Sequence, residues 1–285
     1  MKINLGPNNL RCWWEKSKSK AAAVFAIATT VITFLSVEDI LANLKINPNS
    51  MRGKIGILII LSTLSLLWGA FSFIKDKEKP VVLYSKEKTH IQAEFGNMTD
   101  YIVDNKKEQI YTVVIPINTH MDIILDESVI RKESMHGFWL QRIKETGISV
   151  EELRTKIFKQ IKNVENNRCK IGDTCYLRNI DNVNYLLIAT CEVSGTQSTC
   201  TELQYFQGLQ AMVDALVEHC DKQEKIYRPV IGGGYANIEK TNQQLLRQMS
   251  EILVFNCQKL QNDIHIIVFD KLKSDILLSA LRPYE

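Results

Sequence analysis

Several signatures of common protein classes are absent from this 285-residue sequence. Its cysteines form neither a zinc-ligand spacing nor an even disulfide framework, which predicts reduced thiols in a cytosolic compartment. They stand at positions 12, 169, 175, 191, 200, 220 and 257. No Walker-type lysine with serine or threonine follows the glycine run at residues 232–234, which argues against ATP hydrolysis. The dinucleotide-binding fingerprint is missing too, because it needs an early strand and a later acidic residue for the ribose.

Excess basic charge is absent from most of the chain. Residues 80–285 carry a net charge of −3, whereas residues 1–79 carry +6. A protein that binds nucleic acid broadly needs a basic face, so the balance in the larger part argues against nucleic acid as a partner. The positive charge lies around two apolar segments near the N-terminus.

Charge is missing entirely from these two segments, residues 21–37 and 55–74. Each is close to the length that a helix needs to cross a bilayer. A cleaved signal peptide is the alternative for the first segment, but no small-residue cleavage site follows it. The sequence therefore predicts a transmembrane hairpin of two helices within residues 1–79. Lysines are denser outside the hairpin than in its short link, which predicts that both ends face the cytoplasm.

Residues 80–285 alternate between apolar strand-like segments and amphipathic helical segments. The strand segments are residues 110–117, 185–193, 226–231 and 264–269. The helical segments are residues 150–164, a segment from the Thr199 cap to about Cys220, and residues 238–260. Capping boxes of Ser149 with Glu152 and of Thr199 with Glu202 mark the first two helix starts. The pattern predicts an α/β domain with three layers (α/β/α) and a mixed, partly parallel sheet.

Residues 228–238 read Arg-Pro-Val-Ile-Gly-Gly-Gly-Tyr-Ala-Asn-Ile and lie between the third strand and the last helix. Glycines have no Cβ, so their backbone amides can crowd around a phosphate, and the following helix would add its positive end. A tight strand-to-helix turn is the alternative for an isolated glycine run. Ligands of such sheets bind beyond the carboxyl ends of the strands, where Asn118, residues 190–194 and the glycines all fall. Their shared position favours the phosphate cradle.

His120 and Asp122 follow Asn118 closely, and such a group could suggest acid–base catalysis. No nucleophile or metal-ligand spacing accompanies them, so the sequence favours loop or ligand-contacting residues. His136 lies about one turn before a predicted helix, where it could close over a ligand or cap that helix. Cys191 follows the second strand segment as a core residue.

These features resemble the macro domain family, whose members bind ADP-ribose. Macro domains carry a Gly-Asp-Ile-Thr-like turn, a strand that ends in Ala-Ala-Asn, and a later Gly-Thr-Gly-aromatic-Gly diphosphate loop. This chain has Gly96-Asn97-Met98-Thr99, then Pro116-Ile117-Asn118, then Gly232-Gly233-Gly234-Tyr235-Ala236. The resemblance covers about residues 85–285 and implies a macro-like domain at 80–285 that binds an ADP-ribose derivative. The expected ligand-binding residues are Asn97, Met98, Asn118, His120, Asp122, His136, Thr190, Glu192, Gly232, Gly233, Gly234, Tyr235 and Ala236.

The chain departs from the macro domain pattern at two places. Asn97 stands where the family has the acid that reads the adenine amino group, which implies a changed contact. The Gly-Gly-Gly-Val run that follows the family asparagine is replaced by a longer polar loop, residues 119–137. Because that run helps to place water in de-ADP-ribosylating members, the departure implies a binder with altered distal specificity. No catalytic residue, cofactor or metal is expected.

A macro-like domain behind two membrane helices resembles the effector family of type II Thoeris anti-phage defence. In that family a partner with a Toll/interleukin-1-receptor domain makes a histidine conjugate of ADP-ribose. The membrane-anchored effector binds this signal and disrupts the membrane or kills the cell. The resemblance implies a multi-pass protein of the bacterial inner membrane, with its macro-like domain in the cytoplasm, that forms a homo-oligomer when activated. A membrane-tethered ADP-ribosyl hydrolase and a structural membrane adaptor remain as alternatives.

Overall fold

A computed structural model describes part of the chain. The described residues are 62, 63, 65, 67, 68, 79–103, 110–123, 130–161, 168–194, 197–232 and 238–281. The chain divides into two units, Met1–Lys79 and Pro80–Glu285. The predicted membrane segment 21–37 lies outside the described residues, and only five positions of segment 55–74 are described. Within the described part of the chain, no helix combines the length and the apolar character that crossing a membrane requires.

The second unit alternates strands and helices. Its strands are β1 (Val81–Lys86), β2 (Thr89–Gly96), β3 (Tyr111–Asn118), β4 (Thr174–Ile180), β5 (Val183–Ser194), β6 (Gln197–Thr199), β7 (Lys225–Pro229) and β8 (Asp263–Phe269). Its α-helices are α1 (Thr99–Val103), α2 (Met135–Glu145), α3 (Val150–Phe158), α4 (Glu202–His219) and α5 (Asn242–Phe255). Two short 3-10 helices follow β8, at Asp270–Leu272 and Leu278–Ala280.

The strands form one mixed sheet in the order β1-β2-β8-β7-β3-β5-β4, with β6 paired to β5. The four inner pairings, from β2 through β8, β7 and β3 to β5, are parallel. The outer pairings of β1 with β2 and of β4 with β5 are antiparallel. The mixed, partly parallel sheet is therefore confirmed.

Helices cover both faces of this sheet. On one face, α4 and α5 pack on a core that includes Ile226, Ile264 and Ile266. On the other face, α1, α2 and α3 pack on a second core that includes Val113 and Ile115. A strand buried on both faces needs apolar residues at successive positions, which explains the continuous apolar run of β3. The domain has the three layers that the sequence predicts.

Two helix starts differ from the sequence-based prediction. Helix α4 is capped by Thr201 and Gln204, which form a reciprocal capping box, and not by Thr199. Thr199 instead ends the short strand β6. Helix α3 begins as predicted, since the Ser149 hydroxyl accepts a hydrogen bond from the Glu152 N–H at 3.1 Å. It ends at Phe158, six residues before the predicted end.

The start of α5 differs more, and the difference concerns the glycine run. The sequence predicts a helix from residue 238, whereas α5 begins at Asn242. Thr241 and Gln244 form a capping box there, which fixes the start by occupying backbone N–H groups of the first turn. Seven residues therefore separate Gly234 from the helix. The expectation that this helix adds its positive end directly behind the glycines is wrong.

Candidate ligand-binding site

A cavity of about 280 Å³ lies at the carboxyl ends of β3, β5 and β7. These parallel strands are neighbours in the sheet, so the segments that follow them meet at one edge. Residues from the end of β3, the start of α2, the end of β5 and the segment after β7 form the wall. They are Pro116, Ile117, Asn118, Ile130, Glu133, Ser134, Met135, His136, Thr190, Cys191, Ser198, Pro229, Val230, Ile231 and Gly232. The predicted residues Asn118, His136, Thr190 and Gly232 are brought together here.

Asn118 organises the turn that leaves β3. Its side-chain oxygen accepts a hydrogen bond from the His120 N–H at 3.1 Å, and its amide nitrogen donates to Asp122 Oδ2 at 3.0 Å. The Thr119 N–H donates to the Cys191 carbonyl at 2.9 Å, which ties the turn to β5. These contacts fix the orientation of the buried Asn118 amide at the cavity wall. Asp122 does not line the cavity, and it acts on the site by positioning Asn118.

His136 lies in the first turn of α2 and is buried in the cavity wall. Burial lowers the pKa of its imidazole to about 4, against the opposing effect of a hydrogen bond to the Asp122 backbone. The ring is therefore neutral at pH 7. Its Nε2 atom has no hydrogen-bond partner in the described part of the chain. A neutral imidazole with an unused nitrogen can hydrogen-bond a ligand, but it adds no positive charge.

A close backbone approach holds this wall in place. A Cβ atom on Gly137 would lie 2.1 Å from the Arg131 carbonyl oxygen, so only glycine lets the preceding segment cross the first turn of α2. The Ser134 hydroxyl accepts a hydrogen bond from the Gly137 N–H at 3.0 Å and caps the helix. The predicted capping role at this helix start belongs to Ser134, which leaves His136 facing the cavity.

Thr190 and Gly232 occupy the two other strand ends. The Thr190 hydroxyl donates to the Ile117 carbonyl at 3.2 Å, which joins β5 to β3 at the cavity floor. Gly232 has φ +92°, a conformation that other residues adopt only with strain. A Cβ atom there would lie 2.7 Å from Ile238 Cδ1 and 3.3 Å from both Leu245 Cδ2 and Tyr205 Cε2. Both its conformation and its surroundings require glycine.

His120 and Glu192 line a second cavity of about 820 Å³, on the other side of the same strand ends. Arg168 and Lys170 give this cavity a basic wall. Glu192 is held by a hydrogen bond from the Gln204 side chain at 3.0 Å. The structure therefore divides the predicted site between two cavities that share the ends of β3 and β5.

Asn97 and Met98 line neither of these cavities. The Asn97 side chain accepts a hydrogen bond from the Thr99 N–H at 3.2 Å at the start of α1. Met98 is buried in the apolar core under that helix. Their contact with a ligand remains a prediction. Gly233, Gly234, Tyr235 and Ala236 lie outside the described residues, so the phosphate cradle remains a prediction beyond Gly232.

Sequence patterns did not single out Ser198 or Ser134. Ser198 belongs to β6, a strand of three residues that is too short to show a periodic pattern. Ser134 precedes an amphipathic helix in the position of an N-cap, a signal that was present in the sequence. In the described wall of the smaller cavity, the only residues with ionisable side chains other than Cys191 are Glu133 and His136.

In three-layer α/β domains of this kind, ligands commonly bind at the carboxyl ends of parallel strands, where this cavity and Gly232 lie. Residues 105–269 match the family described as "Thoeris protein ThsA, Macro domain". This match covers more than half of the chain, and the chain belongs to this family.

The other comparisons add little to this assignment. No curated protein sequence matches the chain. A solved structure of a protein of unknown function from Bacteroides thetaiotaomicron aligns at 11% identity over 62% of this chain and 96% of its own, with a TM-score of 0.39.

Proposed function

We propose that this protein is an anti-phage defence effector that binds an ADP-ribose-derived signal without turning it over. The observation that carries the proposal is the cavity at the ends of β3, β5 and β7, which lies within the residues that match the Thoeris ThsA macro domain. Small-molecule sites in open α/β folds occupy this position. Asn118 at one wall and Gly232 at another belong to two of the three motifs by which the sequence resembles ADP-ribose binders.

The chemistry of the cavity wall supports binding over hydrolysis. A hydrolase needs a group that takes a proton from water, within hydrogen-bonding reach of the reacting atom. Burial gives His136 a pKa of about 4, so it is a weak base at neutral pH. Asp122 is engaged with the Asn118 amide and does not line the cavity. Of the described wall residues, Glu133 is thus the carboxylate that a hydrolase would have to use, whereas His136 and Asn118 fit a receptor that holds its ligand by hydrogen bonds.

The second cavity suggests how a larger signal is accommodated. It shares the ends of β3 and β5 with the first, since Thr119 and Glu192 directly follow Asn118 and Cys191. A substituent on the distal part of ADP-ribose, such as a histidine conjugate made by a Toll/interleukin-1-receptor-domain partner, would extend past these strand ends. His120 and Glu192 are the predicted residues on that side.

The proposal extends to the membrane. Residues 1–79 anchor the protein as a two-helix hairpin in the bacterial inner membrane, and the macro domain lies in the cytoplasm. Signal binding drives association into a homo-oligomer, and the clustered helices disrupt the membrane. Binding can drive this change only if the bound state associates better than the free state.

Titration calorimetry of the purified full-length chain, in mild detergent, with ADP-ribose and its histidine conjugate tests the proposal. Chromatography of the same mixtures measures turnover. We expect binding without turnover. Cleavage of the ligand would support the hydrolase alternative, and the absence of binding would leave the structural adaptor.

A variant at the cradle makes the test specific. Gly233→Glu brings a side chain and a negative charge to the predicted phosphate position, so we expect it to abolish binding. An unchanged affinity would refute the cradle.

A further inference from the structure

Arg228 on β7 is fully buried, and no counter-ion for it is found among the described residues. Its exposed fraction is 0%, and its Nε, Nη1 and Nη2 atoms all lack a hydrogen-bond partner in the described part of the chain. A buried, unpaired cation is strongly unfavourable, because it loses its hydration and gains nothing in return. Burial lowers the pKa of its guanidinium to about 9, which still leaves it charged at neutral pH. A bound anion would compensate this buried charge.

The position of Arg228 connects it to the glycine run. Side chains of a strand alternate between faces, so Arg228 shares the face of Ile226, under α4 and α5. The Tyr205 phenol lies within electrostatic reach of the Arg228 charge. The same Tyr205 ring lies 3.3 Å from the place of a Cβ atom on Gly232. Tyr205 therefore links Arg228 to Gly232, the first residue of the glycine run.

Tyr205 cannot serve as the counter-ion itself. Burial raises the pKa of its phenol above the usual value, so the group is neutral at physiological pH. Its hydroxyl proton is donated to the Leu245 carbonyl at 3.2 Å, so the phenol stays protonated in this contact. The described residues therefore leave the charge of Arg228 uncompensated.

A diphosphate beside Gly232 would need positive charge, which neither the start of α5 nor the described wall of the smaller cavity supplies. Helix α5 begins at Asn242, and Thr241 with Gln244 caps its first turn. The described wall of the 280 Å³ cavity contains neither lysine nor arginine. Arg228 is next in sequence to Pro229, which does line the cavity. Shielding from water strengthens the interaction between a charge and a nearby anion.

We propose that Arg228 is the buried cation that neutralises the diphosphate of the bound ligand at the edge of the cavity where Gly232 lies. In the free protein, the described residues leave the Arg228 charge unpaired, and a bound anion removes that penalty. This proposal rests on the proposed function, and it assigns a binding role to a residue that no ligand-binding motif marks.

The test compares the full-length protein with Arg228→Met, which removes the charge and keeps much of the volume. Arg154→Met is the matched control, since Arg154 is exposed on α3, on the opposite face of the sheet. Thermal melting is measured without ligand, with inorganic diphosphate and with sodium chloride at equal ionic strength. Titration calorimetry measures the affinity for ADP-ribose.

The expected result for Arg228→Met is a higher melting temperature without ligand, by about 3 °C or more, because a buried unpaired charge is removed. Its affinity for ADP-ribose falls about 30-fold or more, as for the loss of a charged partner. Inorganic diphosphate raises the melting temperature of the wild type beyond the chloride reference and leaves that of Arg228→Met unchanged. Arg154→Met behaves as the wild type throughout.

Two outcomes overturn the role of Arg228 specifically. One is an Arg228→Met protein that binds ADP-ribose as tightly as the wild type, in which case the proposed function stands. The other is a wild type that inorganic diphosphate does not protect beyond chloride. If the wild type binds no ADP-ribose derivative but diphosphate still protects it in an Arg228-dependent way, the proposed function fails and the role of Arg228 stands. If Arg228→Met does not fold, Arg228→Gln carries the same expected loss of affinity and diphosphate protection.

Discussion

Replacing Gly232 by alanine tests the construction of the ligand site directly. The new methyl group would lie 2.7 Å from Ile238 Cδ1 and 3.3 Å from both Leu245 Cδ2 and Tyr205 Cε2. The backbone there has φ +92°, so an L-residue is strained whatever the space. Gly147, after α2, offers a matched control, since it has φ +79° and nothing within 4 Å of its would-be Cβ.

Two effects set the expected loss of stability, namely backbone strain at positive φ and close contact of the new methyl group. Left-handed backbone costs an alanine about 1–2 kcal/mol at either site. Overpacking adds about 1–3 kcal/mol at Gly232 alone, toward the lower end because the nearest atom is the tip of a flexible isoleucine. Gly232→Ala should therefore unfold with at least about 1 kcal/mol less free energy than Gly147→Ala. For a domain of this size, that difference is about 2–4 °C in melting temperature.

Thermal melting of the wild type and both variants, followed by circular dichroism, measures this difference. Calorimetry with ADP-ribose accompanies it, and we expect weaker binding for Gly232→Ala only. Equal losses of stability in the two variants would show that the close packing around Gly232 is not real. A Gly232→Ala protein that is destabilised but binds normally would separate this glycine from the ligand site.

Three further predictions concern pH and the N-terminal part. Burial lowers the pKa of His136 to about 4. The free energy of unfolding should therefore fall by up to roughly 3 kcal/mol as pH falls from 6.5 toward 4, because the unfolded chain binds the proton more readily. In urea titrations, His136→Gln should show a smaller dependence of this free energy on pH. Burial alone would lower the pKa of His265, but the Glu94 hydrogen bond and Asp263 outweigh burial and raise it. The stability that the raised pKa of His265 provides is lost as pH rises above about 6.5. Glu94→Gln should therefore show a melting temperature that depends less on pH in this range. A variant slope equal to that of the wild type would refute the contribution of Glu94. Deleting residues 1–79 leaves calorimetric binding intact and removes toxicity in cells, so a toxic fragment would contradict the effector proposal.

The central sheet was predictable because its strands are continuous apolar runs. Strands β3, β5 and β7 are buried on both faces, and polar or glycine residues end each run. The first hairpin, β1 with β2, was missed although β2 alternates buried and partly exposed positions. Its pattern has period 2, which is weaker than an apolar run in so short a segment.

The details of the site were less accessible from sequence. Helix α5 was placed too early because Ile238 continues the apolar pattern, whereas Thr241 and Gln244 decide the start. The division of the site into two cavities depends on how the loop after β3 folds back through Asn118. The burial of Arg228 has no sequence signal, since a basic residue at a strand end ordinarily reaches solvent.

The free cysteines make local unfolding of the domain measurable by thiol labelling. Cys169, Cys175, Cys191 and Cys200 are buried, and burial raises the pKa of each thiol above its usual value. Only the thiolate reacts quickly with alkylating reagents, so these groups are inert while the fold is closed. The rate at which each is labelled therefore reports how often its part of the domain unfolds. Cys191 lines the ligand cavity, and its labelling rate should fall when the ligand binds, whereas that of Cys175, inside the opposite core, follows global stability alone.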